Sequence, residues 1–174
     1  MKKRDLKSGI VGIGMINPKF PHNVGAVVRS ASCFGADLVY FTGDRVSLTA
    51  TDSYRLPREE RMIGYKDVEL KNVPRLFDCF AEDVVPVAVE VCDNAELLPN
   101  FEHPEHALYV FGPEDGGLGR VDNCQCHRFL TIPTKHCLNL AAAVNLILYD
   151  RQVKMDPEFY FRECRPMEKL VCDT

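Results

Sequence analysis

Ala107-Leu108-Tyr109-Val110-Phe111-Gly112-Pro113-Glu114-Asp115-Gly116-Gly117-Leu118-Gly119 passes from five apolar residues straight into a loop in which four of eight positions are glycine. The apolar run, Ala107 to Phe111, reads as a strand buried on both faces. The glycines permit positive φ and close approach of the main chain to a ligand. The loop lacks the Gly-Lys-Ser/Thr ending of a phosphate-cradling loop and does not fit the dinucleotide fingerprint. Taken alone, a plain tight turn is the simpler reading. If the loop does grip a ligand, a neutral planar group suits it better than a triphosphate, because Glu114 and Asp115 would repel phosphate.

Outward from this stretch, Gly9 to Ile16, Leu38 to Phe41, Val84 to Val91 and Phe129 to Ile132 are similar short runs, each ended by glycine, proline or a polar residue. Between them lie helical patterns. Val24, Val27, Val28, Ala31 and Phe34 recur at helical spacing, Pro74 to Ala81 begins with proline at a plausible first helical position, and Leu138 to Tyr149 is apolar on nearly every side. A helix of that last kind is either central or covered by another subunit. Strands alternating with helices predict an α/β domain with a mostly parallel sheet flanked by helices. At 174 residues, 46% of them hydrophobic and with no internal repeat, the chain suits one domain with a core of about 9–153 and a tail of 154–174. Pro157 and Pro166 suggest that the tail wraps over the surface, with Met167 to Thr174 frayed.

Composition narrows the classes further. Met1-Lys2-Lys3-Arg4 followed by a short apolar run imitates a secretion signal, but the run carries glycines, meets Asn17-Pro18 and offers no small-residue cleavage site. No run approaches the length of a membrane span, so no membrane partner is expected. Eight cysteines, many in apolar settings, fit reduced thiols and a cytoplasmic protein better than a disulfide scaffold. The net charge of −4 argues against indiscriminate nucleic-acid binding. It is unevenly placed, however: residues 1–75 carry 13 Lys and Arg against 8 Asp and Glu, and residues 76–174 carry 8 against 17. A local basic face can therefore still attract phosphates. Cys124, Cys126 and His127, with His136 and Cys137 downstream, do not have the usual zinc-finger spacing, so no metal is expected. His103 and His106 read as solvated loop residues.

Two other stretches resemble the first in joining small or amide side chains to strand ends. In Asn23-Val24-Gly25-Ala26-Val27-Val28-Arg29, Asn23 fits an N-cap, and Gly25 and Arg29 share a face away from the apolar stripe. The plain reading is a capped helix with a solvated arginine. In Ile132-Pro133-Thr134-Lys135-His136-Cys137-Leu138-Asn139-Leu140-Ala141, a polar loop runs from a strand into the apolar helix. Exposed N–H groups there can bind a carboxylate or hold a neighbouring loop, or Asn139 merely caps the helix.

Taken together and in order, Asn-x-Gly-x-x-x-Arg at Asn23, Gly25 and Arg29, Phe-Gly-Pro-Glu-x-x-Gly-Leu at Phe111 to Leu118, and Ile-Pro followed by Leu-Asn-Leu-Ala resemble the TrmH/SpoU branch of the SPOUT RNA methyltransferases, over about residues 10–151. The resemblance implies a SPOUT fold with a C-terminal deep trefoil knot, a homodimer through the knot region, and S-adenosyl-L-methionine as cofactor. It implies a cofactor site formed by Phe111, Gly112, Gly117, Leu118, Ile132, Cys137, Leu138 and Leu140. The catalytic side would hold Arg29, Asn23, Glu114 and Asn139. The implied reaction is 2′-O-methylation of an RNA ribose. Arginine is too weak an acid to serve as a base, so Arg29 suits the part of a cation facing charge that develops on the ribose oxygen. Glu114 would orient Arg29 or Asn23 through a charge-assisted hydrogen bond. The family commonly has serine where this chain has Cys137, and a thiol is the poorer hydrogen-bonding partner.

Arg55, Arg58 and Arg61, near Tyr54 and Tyr65, form the candidate RNA-contacting segment, interrupted by Glu59 and Glu60. The expected partner is RNA, tRNA ahead of rRNA. The rival expectation is a non-catalytic RNA-binding or scaffold protein that keeps the fold; a small-molecule methyltransferase is a third.

Overall fold

The structure is a computed structural model in which residues 9–46, 67–156 and 158 are described. Strands β1 (Val11–Met15), β2 (Leu38–Phe41), β3 (Glu69–Asn72), β4 (Val85–Val89), β5 (Glu96–Leu97), β6 (Ala107–Phe111) and β7 (Arg128–Thr131) form one sheet in the order β3-β2-β1-β6-β4-β7-β5. Every pairing is parallel, with Ile13 opposite Val39 on one side and Tyr109 on the other. A parallel sheet needs cover on both faces, and it has it. Helices α1 (Pro21–Phe34) and α3 (Leu140–Met155) pack on each other and on the face presenting Ile13, Met15, Phe41, Tyr109 and Leu130. The opposite face, with Leu108, Val110 and Ala88, is covered by Leu76, Leu118 and Cys126. A short helix, α2 (Arg120–Asn123), lies between β6 and β7.

The α/β expectation holds, and the five apolar runs are strands at nearly the predicted bounds. Three local readings are corrected. Pro74 to Ala81 is not an α-helix: it holds a single 3-10 turn at Phe77–Cys79. Leu76 is buried against the sheet there, so close to Gly14 that a Cβ on that glycine would stand 2.4 Å from Leu76 Cδ2. Asn23 is not the N-cap of α1. Proline occupies the first helical position at Pro21, the cap residue is Phe20 without a side-chain bond, and Asn23 falls in the first turn with its side chain buried. Gly35 ends the helix in the left-handed region at φ 75°, with the Ala36 N–H returned to the Ala31 carbonyl at 2.9 Å.

The third correction concerns His103, which is buried rather than solvated. Its Nδ1 accepts from the Tyr109 hydroxyl at 2.6 Å and its Nε2 faces Asp150 Oδ2 at 2.8 Å, an arrangement that one neutral tautomer satisfies completely. Burial pushes the imidazole down to about 4, against the pull of Asp150, and pushes the Tyr109 phenol up to about 12. Buried Arg151 donates to the Pro104 and Glu105 carbonyls, and Lys154 to those of Leu98 and Phe101. The last turns of α3 are thereby fastened to the 98–105 segment. His106 is half-exposed and accepts from the Ile10 N–H at 3.1 Å.

Because the folded imidazole binds its proton more weakly than the unfolded one, the unfolded state carries the extra proton between about pH 6.5 and 4. Stability is expected to fall as pH drops through that window. The slope of denaturant midpoint against pH should flatten there in His103→Gln relative to the parent.

Candidate functional site

All seven strands point the same way, so their carboxyl ends share one edge of the sheet, the edge where ligands of open parallel sheets bind. The ends of β4, β6 and β7 meet the amino ends of α1 and α3 around a cleft of about 700 Å³. Of the predicted residues, Asn23, Phe111, Gly112, Glu114, Gly117, Ile132, Cys137, Leu138, Asn139 and Leu140 line it. Leu118 stands behind the lining, buried in the core. Arg29 is exposed on α1 and is not among the lining residues of its own chain's cleft. Arg55, Arg58 and Arg61 lie outside the described residues.

Three loops meet through one amide. Asn23 Nδ2 donates to Glu114 Oε1 at 2.6 Å, and Asn23 Oδ1 accepts from Asn139 Nδ2 at 3.1 Å. Asn139 is the N-cap of α3, its Oδ1 accepting from the Ala141 and Ala142 N–H groups at 3.0 and 3.4 Å. The other Glu114 oxygen accepts the Lys19 N–H at 2.7 Å. Burial alone would raise the Glu114 pKa; the hydrogen bonds from Asn23 and from backbone N–H groups outweigh it and hold the carboxyl below its usual range. Glu114 thus orients Asn23. Asn139 caps its helix, and its Nδ2 holds the first turn of α1; of the alternatives open in the sequence the cap is realised, while the link to α1 runs through the side chain and not through exposed N–H groups.

The glycine-rich turn is shaped by close contact. A Cβ on Gly112 would stand 2.2 Å from the Gly117 carbonyl carbon, so the loop folds back on itself with no room for a side chain. Gly117 has φ 68°, and a Cβ there would meet Glu90 Oε2 at 2.7 Å. That same oxygen accepts the Leu118 N–H at 2.7 Å. Glu90 lines the cleft and was missed from sequence; its signal is an acidic residue directly after the apolar β4 run. Asp115 points away to Arg45, which grips it with two bonds of 2.6 and 3.0 Å, and to Lys19 at 3.5 Å. Arg45 holds its carboxyl well below the ordinary range. The two acids of the loop are therefore already partnered.

The rest of the lining is mainly apolar, from Val89, Leu130, Ile132, Leu138 and Leu140. Cys137 is exposed there, whereas Cys126 is buried and its thiol is pushed up to about 12 by burial. Among the described residues no group of three or more His, Cys, Asp or Glu is placed to hold a metal ion, and no helix is long and apolar enough to cross a membrane.

Comparison with known proteins bears on this geometry. Residues 11–149 match the SpoU rRNA Methylase family. The 23S rRNA (guanosine-2′-O-)-methyltransferase RlmB of Acinetobacter baylyi is 28% identical over 135 residues, covering 75% of this chain and 54% of the relative. The SpoU methyltransferase AviRb from Streptomyces viridochromogenes, solved in complex with AdoMet, superposes with a TM-score of 0.70 at 21% identity, over 87% of this chain and 60% of that one. A structure concerned with the 2-OH methylation of C/U34 on tRNA gives a TM-score of 0.67 at 24% identity, over 85% of this chain and 99% of that one. The chain spans 54% to 62% of the length of the curated relatives it matches. With the family match running from β1 into α3 and the sheet and flanking helices shared with solved SpoU proteins, the chain belongs to the SpoU rRNA Methylase family, in the TrmH/SpoU branch of the SPOUT superfamily.

Proposed function

We propose that the cleft binds S-adenosyl-L-methionine and that the protein methylates the 2′-hydroxyl of an RNA ribose, on tRNA ahead of rRNA. The observation that carries this reading is the Glu114–Asn23–Asn139 relay, which ties the three family motifs to one cleft. The cleft also fits the cofactor by its own chemistry: apolar walls suit a purine, and the turn between Gly112 and Gly117 leaves room for close backbone approach. Among the described residues, no Lys or Arg lines it, as befits a ligand without phosphate. AviRb and RlmB support the cofactor and the ribose target respectively.

The cofactor supplies a methyl group activated on a sulfonium. What the chain must add is alignment, since methyl transfer gains most from holding two reactants in line. In this proposal the Gly112–Leu118 turn, Ile132 and Cys137 to Leu140 bind the donor, while Asn23 and Glu114 hold the turn in register with α3. Arg29 faces the negative charge that grows on the ribose oxygen, and the hydroxyl proton leaves to an RNA phosphate or to water. Arg29 does not line its own chain's cleft, and in this proposal a second copy brings it to the reacting ribose. The exposed apolar residues Leu146, Tyr149 and Val153 on α3 offer such a homodimer its surface. Arg55, Arg58 and Arg61 take RNA phosphates, and the protein works in the cytoplasm with the knot formed by the segment from Gly112 to α3.

Calorimetry is expected to show S-adenosyl-L-methionine binding, and nucleoside mass spectrometry of RNA from a deletion strain is expected to lack one 2′-O-methylated residue. Binding without transfer to any cellular RNA would favour the non-catalytic scaffold instead. Arg29→Ala should abolish transfer, a loss of about 100-fold or more, with cofactor affinity nearly intact; equal loss of both would make Arg29 structural. Asn23→Ala should cost about 1–3 kcal/mol of stability, because half-buried Glu114 loses its Asn23 hydrogen bond and the buried space of the Asn23 amide is left unfilled. A denaturant midpoint unchanged from the parent would count against the relay.

A further inference from the structure

We infer that Glu90 is the residue that recognises the ribose hydroxyls of the nucleoside held in the cleft, and that it sets the Gly117 turn at the same time. This rests on the cofactor reading above. Two carboxylates line the cleft among the described residues, and they differ in what they have left to offer. Glu114 is tied to Asn23 and to the Lys19 N–H, and those bonds face other loops. Glu90 accepts the Leu118 N–H at 2.7 Å on Oε2 and the Val91 N–H at 3.0 Å on Oε1. A carboxylate has about four acceptor positions, so each oxygen keeps one.

Glu90 is also well held. It follows β4 directly, and its own N–H continues the ladder to the Leu130 carbonyl at 3.0 Å. Glu90 lines the same cleft as the apolar residues Val89, Leu130 and Ile132. In this inference a purine packed on those apolar residues has its sugar beside Glu90. An acceptor pair fixed at a strand end is the arrangement that suits vicinal hydroxyls. Its charge would turn away a nucleotide carrying phosphate at the same place. A positively charged sulfonium is the other group a carboxylate could take, so the test uses a ligand without that charge.

The experiment is calorimetry with S-adenosylhomocysteine, a neutral thioether, and its 3′-deoxy analogue, on the parent protein, Glu90→Gln and Glu90→Ala. The parent should prefer the parent ligand by about tenfold or more, the usual scale for a hydrogen bond to a charged group. In Glu90→Ala the preference should vanish, and in Glu90→Gln, which can still receive the Leu118 N–H, it should shrink to a few-fold. Equal weakening of both ligands in the two variants would overturn the inference and leave Glu90 as a pin for the turn alone. Equal affinity of the parent protein for both ligands would overturn it as well, while leaving the cofactor reading intact. Failure of the parent protein to bind either ligand or S-adenosyl-L-methionine would overturn both.

Discussion

Asn23 gives one end of its amide to Glu114 and the other to Asn139. Few side chains can do this. An aspartate would face the Glu114 carboxylate with like charge, and an apolar residue would take a bond from half-buried Glu114 and cut the link to Asn139. The amide donates to a carboxylate and accepts from a second amide whose other atom caps α3. The amino end of one helix, the loop after β6 and the amino end of another helix are thus held by four polar groups in series. The cleft exists because these loops are held together, and its depth comes from the apolar residues they carry in.

The turn between Gly112 and Gly117 has a second constraint beneath it. Glu90 receives the Leu118 N–H, and the missing side chain at Gly117 makes room for the carboxylate. The loop is therefore held at Glu114 on its outer side and at Leu118 on its inner side, while Asp115 is drawn off by Arg45 and Lys19. Acidic residues in a ligand-binding turn would be a liability if they stood free in the cleft. Here two of them act as acceptors for the protein's own donors, so the shape of the turn is set by bonds within the chain.

Much of this was legible in the chain. The apolar runs declared β1, β2, β4, β6 and β7 because a strand buried on both faces has no polar alternation to obscure it. Strands β3 and β5 were not legible: Glu69-Leu70-Lys71-Asn72 and Glu96-Leu97 lie at the two edges, where charge guards exposed backbone and hides the strand pattern. The site residues were readable as three motifs, and the bond of Glu114 to Asn23 was one of two alternatives the resemblance offered; the bond of Asn23 to Asn139 was not readable, since it depends on an amide turning inward from the first turn of α1. Asn23 looked like a cap because caps and first-turn amides share one composition; Pro21 decided between them. His103 misled for a similar reason, lying in a polar segment whose buried partners, Tyr109 and Asp150, are distant in sequence.

The pairing of β1 with β6 sets Val11 beside Ala107, with β4 on the far side of β6. No hairpin joins any two neighbours of this sheet, so early local contacts can do little more than form helices and the β1–α1–β2 unit. During synthesis the first strands must wait for more than half the chain to emerge before the middle of the sheet can close. Until then the edge of β1 that pairs with β6 has no partner, an exposure that a sheet of parallel pairings alone imposes on its first strand.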